Sequence, residues 1–364
     1  MNANAQAKDV PPTWREVRDH LNGHRHDLAR VADRFYPGWK RAGSTPLLTR
    51  DGWLPDEPLG LDRVVLEWTD RAPAPTVTGT EPQARAILPE DSGTYAEAMA
   101  NHGRPHLFEN RPCYRLLDAA WPTLHFTRGS YFDAVNVGEA AAHELAAAQL
   151  LRDDHLPLRS LVEDPTDLGG RVVVPAVSML TLRHDGRTGE TTFVLHWRDP
   201  ALVAHGGGLH QVMPVGVFQP RGDGQAAEAE DFDLWRCAVR EYGEEFLGHA
   251  ELYGEAFAYD TWPFHRRMEQ ARAEGLLRSF VLGLGVDPLT FATDILAVSV
   301  FEAEAFDALL GGIVEENEEG RVVGAGGIPF RAEQVTRYVR DEPMQAAGAA
   351  VLELAWEHRL ALGV

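Results

Sequence analysis

The run Arg240-Glu241-Tyr242-Gly243-Glu244-Glu245-Phe246-Leu247-Gly248 limits what this chain can fold into more than any other stretch. A helix is expected from about Asp231 to Leu247. At about 100° per residue, Glu241, Glu244 and Glu245 fall within an arc of about 100°. Trp235, Val239, Tyr242 and Phe246 fall on a separate arc, centred about 130° from Glu241. Such a helix must bury an aromatic face and present a compact acidic one. Adjacent like charges repel unless something positive sits among them. A hard divalent cation held by oxygen ligands is the usual answer, and Mg²⁺ keeps several waters and bridges to substrate phosphates. The last turns of a helix also favour a cation through the macrodipole. The plain alternative is a solvated acidic face.

Arg-Glu-x-x-Glu-Glu followed shortly by Gly resembles the core of the Nudix box, Gly-x5-Glu-x7-Arg-Glu-U-x-Glu-Glu-x-Gly-U, where U is bulky and aliphatic. Upstream, Met213-Pro214-Val215-Gly216 is similar to the Leu-Pro-Gly-Gly turn that commonly opens that box. The chain departs from the motif in its upstream half. From Gly216 to Arg240 is 24 positions where the motif allows 14, which implies an inserted loop from Pro220 to about Glu230. Phe232 stands where the motif has Glu, with Glu230, Asp231 and Asp233 close by, Tyr242 replaces the aliphatic residue, and the final glycine is displaced to Gly248.

The resemblance covers roughly residues 170–364 and implies an α/β fold: a Nudix-like α/β/α sandwich with a mixed sheet, preceded by an α+β N-terminal domain. It implies Mg²⁺- or Mn²⁺-dependent hydrolysis of a nucleoside diphosphate linked to another moiety, or of a related pyrophosphate. Glu241, Glu244 and Glu245 would hold the metal, with the Gly216 carbonyl as a further ligand. Arg240 would orient the glutamates, most directly through an ion pair with Glu244 at i+4. A carboxylate from outside the box often joins such a site, and Glu302 and Glu304 are the candidates by position. A different class stays open, a Nudix-fold sensor or interaction domain that binds a nucleotide-like ligand without turning it over. Members of that family often dimerise, so a homodimer is one of the assemblies open to this chain.

At 364 residues, 44% apolar and 24% charged, the chain is long enough for two domains with sizeable cores. Its net charge of -21 and lack of a basic cluster argue against a nucleic-acid partner. No run of 18 apolar residues occurs, which argues against a membrane partner. Cys113 and Cys237 are the only cysteines, far apart, as expected of reduced thiols in a cytoplasmic protein. A Walker A motif and a Gly-x-Ser-x-Gly elbow are both missing, so Ala204-His205-Gly206-Gly207-Gly208-Leu209-His210 reads as a turn rather than an oxyanion loop. His205 and His210 are candidate substrate contacts, as is Gly216.

Along the chain, residues 1–12 read as a disordered lead and Thr13 as a helix cap. Pro37 to Asp62 reads as loop, and Leu61 to Trp68 as a strand. Thr94 to Ala100 reads as a short helix. Leu124–Phe126 and Tyr131–Asp133 read as extended pieces, and Val137–Leu151 as an alanine-rich helix. His143-Glu144 lacks the second histidine of a zinc motif, since position 147 is Ala147, so His143 is taken as a structural contact. A boundary is expected between residues 156 and 170. It separates an N-terminal domain (13–165) without a readable motif from the Nudix-like one (166–364). Beyond it come a hairpin of Arg171–Leu182 with Glu190–Trp197, a strand Leu209–Phe218, a helix within Thr261–Leu277, and a strand Asp294–Glu302. Helices over Arg331–Val339 and Met344–Leu362 close the chain.

Overall fold

The structure is a computed structural model that describes residues 12–106, 108–199, 202, 207–251, 253, 258–317 and 320–364. The expected disordered lead lies, apart from Pro12, outside the described residues.

Thr13 caps the first helix, Trp14–Gly23, with a complete capping box: the Glu16 amide donates to Thr13 Oγ1 at 3.3 Å and the Thr13 amide to the Glu16 carboxylate at 2.7 Å. A second helix, Arg25–Asp33, follows. Three two-residue strands, β1 (Lys40–Arg41), β2 (Leu48–Thr49) and β3 (Leu59–Gly60), come next and join the large sheet. Residues on both sides of the expected boundary therefore share one sheet. A small sheet is built from β4 (Val65–Trp68), β5 (Pro112–Ala120) and β6 (Thr123–Ser130), with β4 parallel and β5 antiparallel to β6.

Tyr131 to Asp133 are helical rather than extended; they begin the helix Tyr131–Leu151. Asn110 Oδ1 accepts the Phe132 amide at 2.9 Å and the Arg111 carbonyl accepts the Tyr131 amide at 3.0 Å, which supplies partners for first-turn donors. His143, midway along this helix, has Nδ1 3.1 Å from the Tyr95 hydroxyl and its ring stacked on Trp14. Burial, reinforced by nearby Arg18, pushes its pKa down to about 3.

The large sheet continues with β7 (Pro175–Asp185) and β8 (Glu190–Arg198), the expected hairpin, closed by Gly189 at φ 74°. The single strand expected over Leu209–Phe218 is two strands. β9 (His210–Val212) pairs with β8, whereas β10 (Val215–Val217) pairs with β7. The break falls at Met213-Pro214, where proline offers no amide to a ladder. β11 (Leu277–Val286), β12 (Thr293–Glu302), β13 (Glu316–Asn317) and β14 (Gly320–Pro329) complete eleven strands among the described residues.

β7 and β12 run parallel through ten register pairs, from Pro175↔Thr293 to His184↔Glu302. Their side chains alternate between two cores. Val177, Met179, Ile295, Ala297 and Phe301 meet the helices Leu234–Glu241 and Pro263–Ala273. Leu180, Leu182, Leu296, Val298 and Val300 meet the helices Ala332–Arg340 and Ala346–Glu357 on the other face. Tyr114, Leu116, Leu124 and Phe126 of the small sheet belong to the first core. The fold is thus mixed α/β with sheets of mixed strand orientation. No helix among the described residues is long and apolar enough to cross a membrane.

The helix Tyr131–Leu151 approaches the loop before β12 so closely that a Cβ on Gly138 would lie 2.0 Å from the Thr290 carbonyl oxygen. Alanine is favoured over glycine in a helix interior by about 1 kcal/mol, but overpacking against backbone costs about 1–3 kcal/mol. Gly138→Ala is therefore expected to lower stability in urea unfolding. An unchanged or higher midpoint would show that the loop has room to move.

Candidate active site

The acidic helix starts at Asp233, whose carboxylate accepts the amides of Trp235 at 2.8 Å and Arg236 at 2.9 Å. The α-helix spans Leu234–Glu241 and then widens into a π-turn over Tyr242–Phe246. π-turns inside helices are uncommon and concentrate at functional sites. Tyr242 and Phe246 remain buried, and the Tyr242 hydroxyl lies 2.8 Å from Thr181 Oγ1 of β7.

The carboxylates meet β10. Glu245 Oε1 accepts the Val215 amide at 2.9 Å. The Glu241 carboxylate occupies the space beside Gly216 where a side chain would begin, since a Cβ there would stand 2.0 Å from Oε1. Glycine at 216 permits that approach. Glu241, Glu244, Glu245 and Gly216 line one cavity of about 800 Å³. Arg198 at the end of β8, Asp294 at the start of β12, Arg171 and Glu316 line it too. The helix Tyr131–Leu151 contributes Tyr131, Val135, Gly138 and Glu139, so the cavity wall is shared between residues before and after the expected boundary. Among the described residues no three His, Cys, Asp or Glu side chains are grouped as a ready-made metal cage. The donors fit a hydrated Mg²⁺ or Mn²⁺, which needs one or two carboxylates and completes its shell with water and substrate phosphates.

Arg240 is placed differently from expectation. Its guanidinium pairs with Asp231 at 3.1 Å instead of Glu244, and donates to the Tyr259 hydroxyl at 2.6 Å and the Gln219 carbonyl at 2.7 Å. Asp231 is wholly buried and also accepts Arg221, through its backbone amide at 2.8 Å and its guanidinium at 2.6 Å. A buried carboxylate is a stronger partner than an i+4 glutamate facing a cavity. Phe232, at the motif's glutamate position, packs among Trp68, Tyr114, Phe126 and Phe218. The inserted loop carries a short helix, Gln225–Glu230, that docks on the small sheet through an Arg128–Glu228 ion pair.

His205 lies outside the described residues. His210 is not among the residues lining the cavity; it sits edge-on to Tyr338 with its pKa lowered by burial. Glu302 and Glu304 stand at the far end of β12, where Glu304 is exposed near Arg187. Asp294, bonded by Ser178 Oγ at 2.7 Å, and Glu316 line the cavity from outside the box, as do Glu109, Glu139 and Glu251. Both cysteines are free and buried, and burial pushes the Cys237 thiol up to about 12, so neither presents a thiolate nucleophile. Neither a protein-family model nor a curated protein matches the chain.

Removing Asp231 would strand Arg240 in the interior without its counter-ion. Asp231→Ala is expected to cost about 3–5 kcal/mol in chemical unfolding. Glu230→Ala, which removes a partly exposed partner of Arg221, should cost under about 1 kcal/mol. Gly216→Ala should destabilise by about 1–3 kcal/mol in wild type, and most of that loss should vanish in a Glu241→Ala background. A loss that persists there would assign the glycine another role.

Proposed function

We propose that the protein is a Nudix-type, Mg²⁺- or Mn²⁺-dependent pyrophosphohydrolase acting on a nucleotide-like substrate. One observation carries the reading: Glu241, Glu244 and Glu245 meet Gly216 along a single cavity. Its architecture, with helices against both faces of a mixed sheet, supports assignment to a Nudix-like sandwich. One or two of those glutamates, with the Gly216 carbonyl, would hold the cation. When bound, the metal neutralises pyrophosphate charge and acidifies water.

The chain itself supplies position and proton transfer. The Val215 amide fixes the Glu245 carboxylate, and Gly216 lets Glu241 approach β10. One of the glutamates takes the proton as water oxygen attacks phosphorus and the bridging P–O bond breaks, leaving phosphate on the departing group. Val172, Val173 and Val174 form an apolar wall that excludes bulk water from the reacting phosphates.

The test is release of phosphate from nucleotide sugars, dinucleotides and nucleoside triphosphates with and without Mg²⁺. Glu244→Gln and Glu245→Gln are expected to lower kcat on the order of 10²- to 10⁴-fold. Equal activity in the wild type and both variants would remove the assignment. A second reading, a ligand sensor on the same fold, draws on the lack of a ready-made metal cage among the described residues. Tight nucleotide binding without turnover would select it.

A further inference from the structure

The floor of the cavity holds positive charge of another kind. Arg171 is only 3% exposed and lines the cavity together with Phe291 and Thr293. Its guanidinium donates to the carbonyls of Asp167 and Phe291, both at 3.1 Å, and reaches Thr293 Oγ1 at 3.5 Å. Behind it, Arg159 is equally buried and bonded to the carbonyls of Pro288 at 2.6 Å, Ala141 at 3.3 Å and Leu289. Both guanidiniums flank the Phe291 ring, at 4.9 Å for Arg159 and 5.5 Å for Arg171. Among the described residues, neither arginine has a carboxylate at ion-pairing distance. Two buried cations without an ion-paired carboxylate are costly to hold. Burial draws the Arg171 pKa down to about 10, against the opposing pull of Asp167, Tyr36 and Asp164. Phe291 itself stands at φ 57°, a left-handed conformation that non-glycine residues adopt under constraint.

We propose that Arg171, held by the loop 290–293, forms a cationic floor that takes a phosphate group of the ligand in the cavity it shares with Glu241, Glu244 and Glu245. The guanidinium fork suits a phosphate through paired charge-assisted bonds. This assignment rests on the reading of the cavity as a substrate site.

The experiment is calorimetric titration of imidodiphosphate, a non-hydrolysable diphosphate, into the full chain with Mg²⁺ and with EDTA. Arg171→Met is expected to weaken binding on the order of 10- to 100-fold. Arg171→Lys keeps the charge but loses the fork, and should still lose severalfold, so the test survives if the methionine variant does not fold. Malonate, of similar size and charge type, should bind more weakly than imidodiphosphate; equal affinity overturns the phosphate assignment. Affinity that ignores both Arg171 variants in both conditions overturns the floor itself, even if Mg²⁺-dependent hydrolysis is found. Arg171-dependent binding without hydrolysis of any nucleotide would uphold the floor and sink the hydrolase.

Discussion

The parallel pairing of β7 with β12 is the constraint on which the arrangement depends. Strands paired this way are buried on both faces, and here successive side chains of both enter opposite cores. Helices must therefore cover each side, and the acidic helix is one of those covers. The pair also locates the cavity. Val173, Val174 and Ala176 lie at the beginning of β7, and Thr293 and Asp294 at the beginning of β12; all of them line it. Ser178 ties the two strands at that end through Asp294. Glu302 and Glu304, eight and ten residues beyond Asp294, are out of reach for the same reason.

Within that frame, the charges of the acidic helix are sorted by burial. Asp231 is tolerated in the interior because both of its oxygens are bonded, by Arg221, Arg240 and Tyr259. Burial also holds the Tyr259 hydroxyl in its protonated, donating form. Arg240 is thereby committed to the loop that precedes the helix, and acts as an anchor of that loop. The glutamates face the other way, onto β10 and the cavity. The widened turn at Tyr242–Phe246 lets Glu245 contact Val215 while Tyr242 and Phe246 stay in the core. Separating an inward ion network from an outward acidic wall requires both the turn and the buried aspartate.

Local features of this fold were legible in the sequence because local chemistry sets them. The hairpin at 185–190, the Thr13 and Thr94 caps, the alanine-rich helix and the apolar run of β12 all follow from turn residues or periodicity. Features set by distant pairing were not. β1, β2 and β3 lie within the Pro/Gly-rich segment 37–62, and two residues carry no periodicity to read. Asp231 looked no different from Glu230 and Asp233; only burial distinguishes it. The π-turn has no sequence marker. Arg171 follows two glycines and reads as the first residue of a hairpin strand, and its value as a buried cation depends on Phe291, 120 positions away.

The loop before the acidic helix packs against the motif-free N-terminal half. The small sheet presents Trp68, Tyr114 and Phe126 as an aromatic surface, and Phe232 fills it from the position where the motif carries glutamate. The lengthened loop reaches across the same sheet, where the Tyr114 hydroxyl donates to the Glu228 carbonyl at 2.8 Å and Arg128 pairs with the Glu228 side chain. A loop of the motif's length has no residues to spare for this docking. The same N-terminal half supplies Tyr131, Val135 and Gly138 to the cavity. The residues before Arg240 are thus committed to packing on the small sheet, and they hold the acidic helix in place. The glutamates that face the cavity lie downstream of every one of them, on the far side of Arg240, where the demands of that packing do not reach.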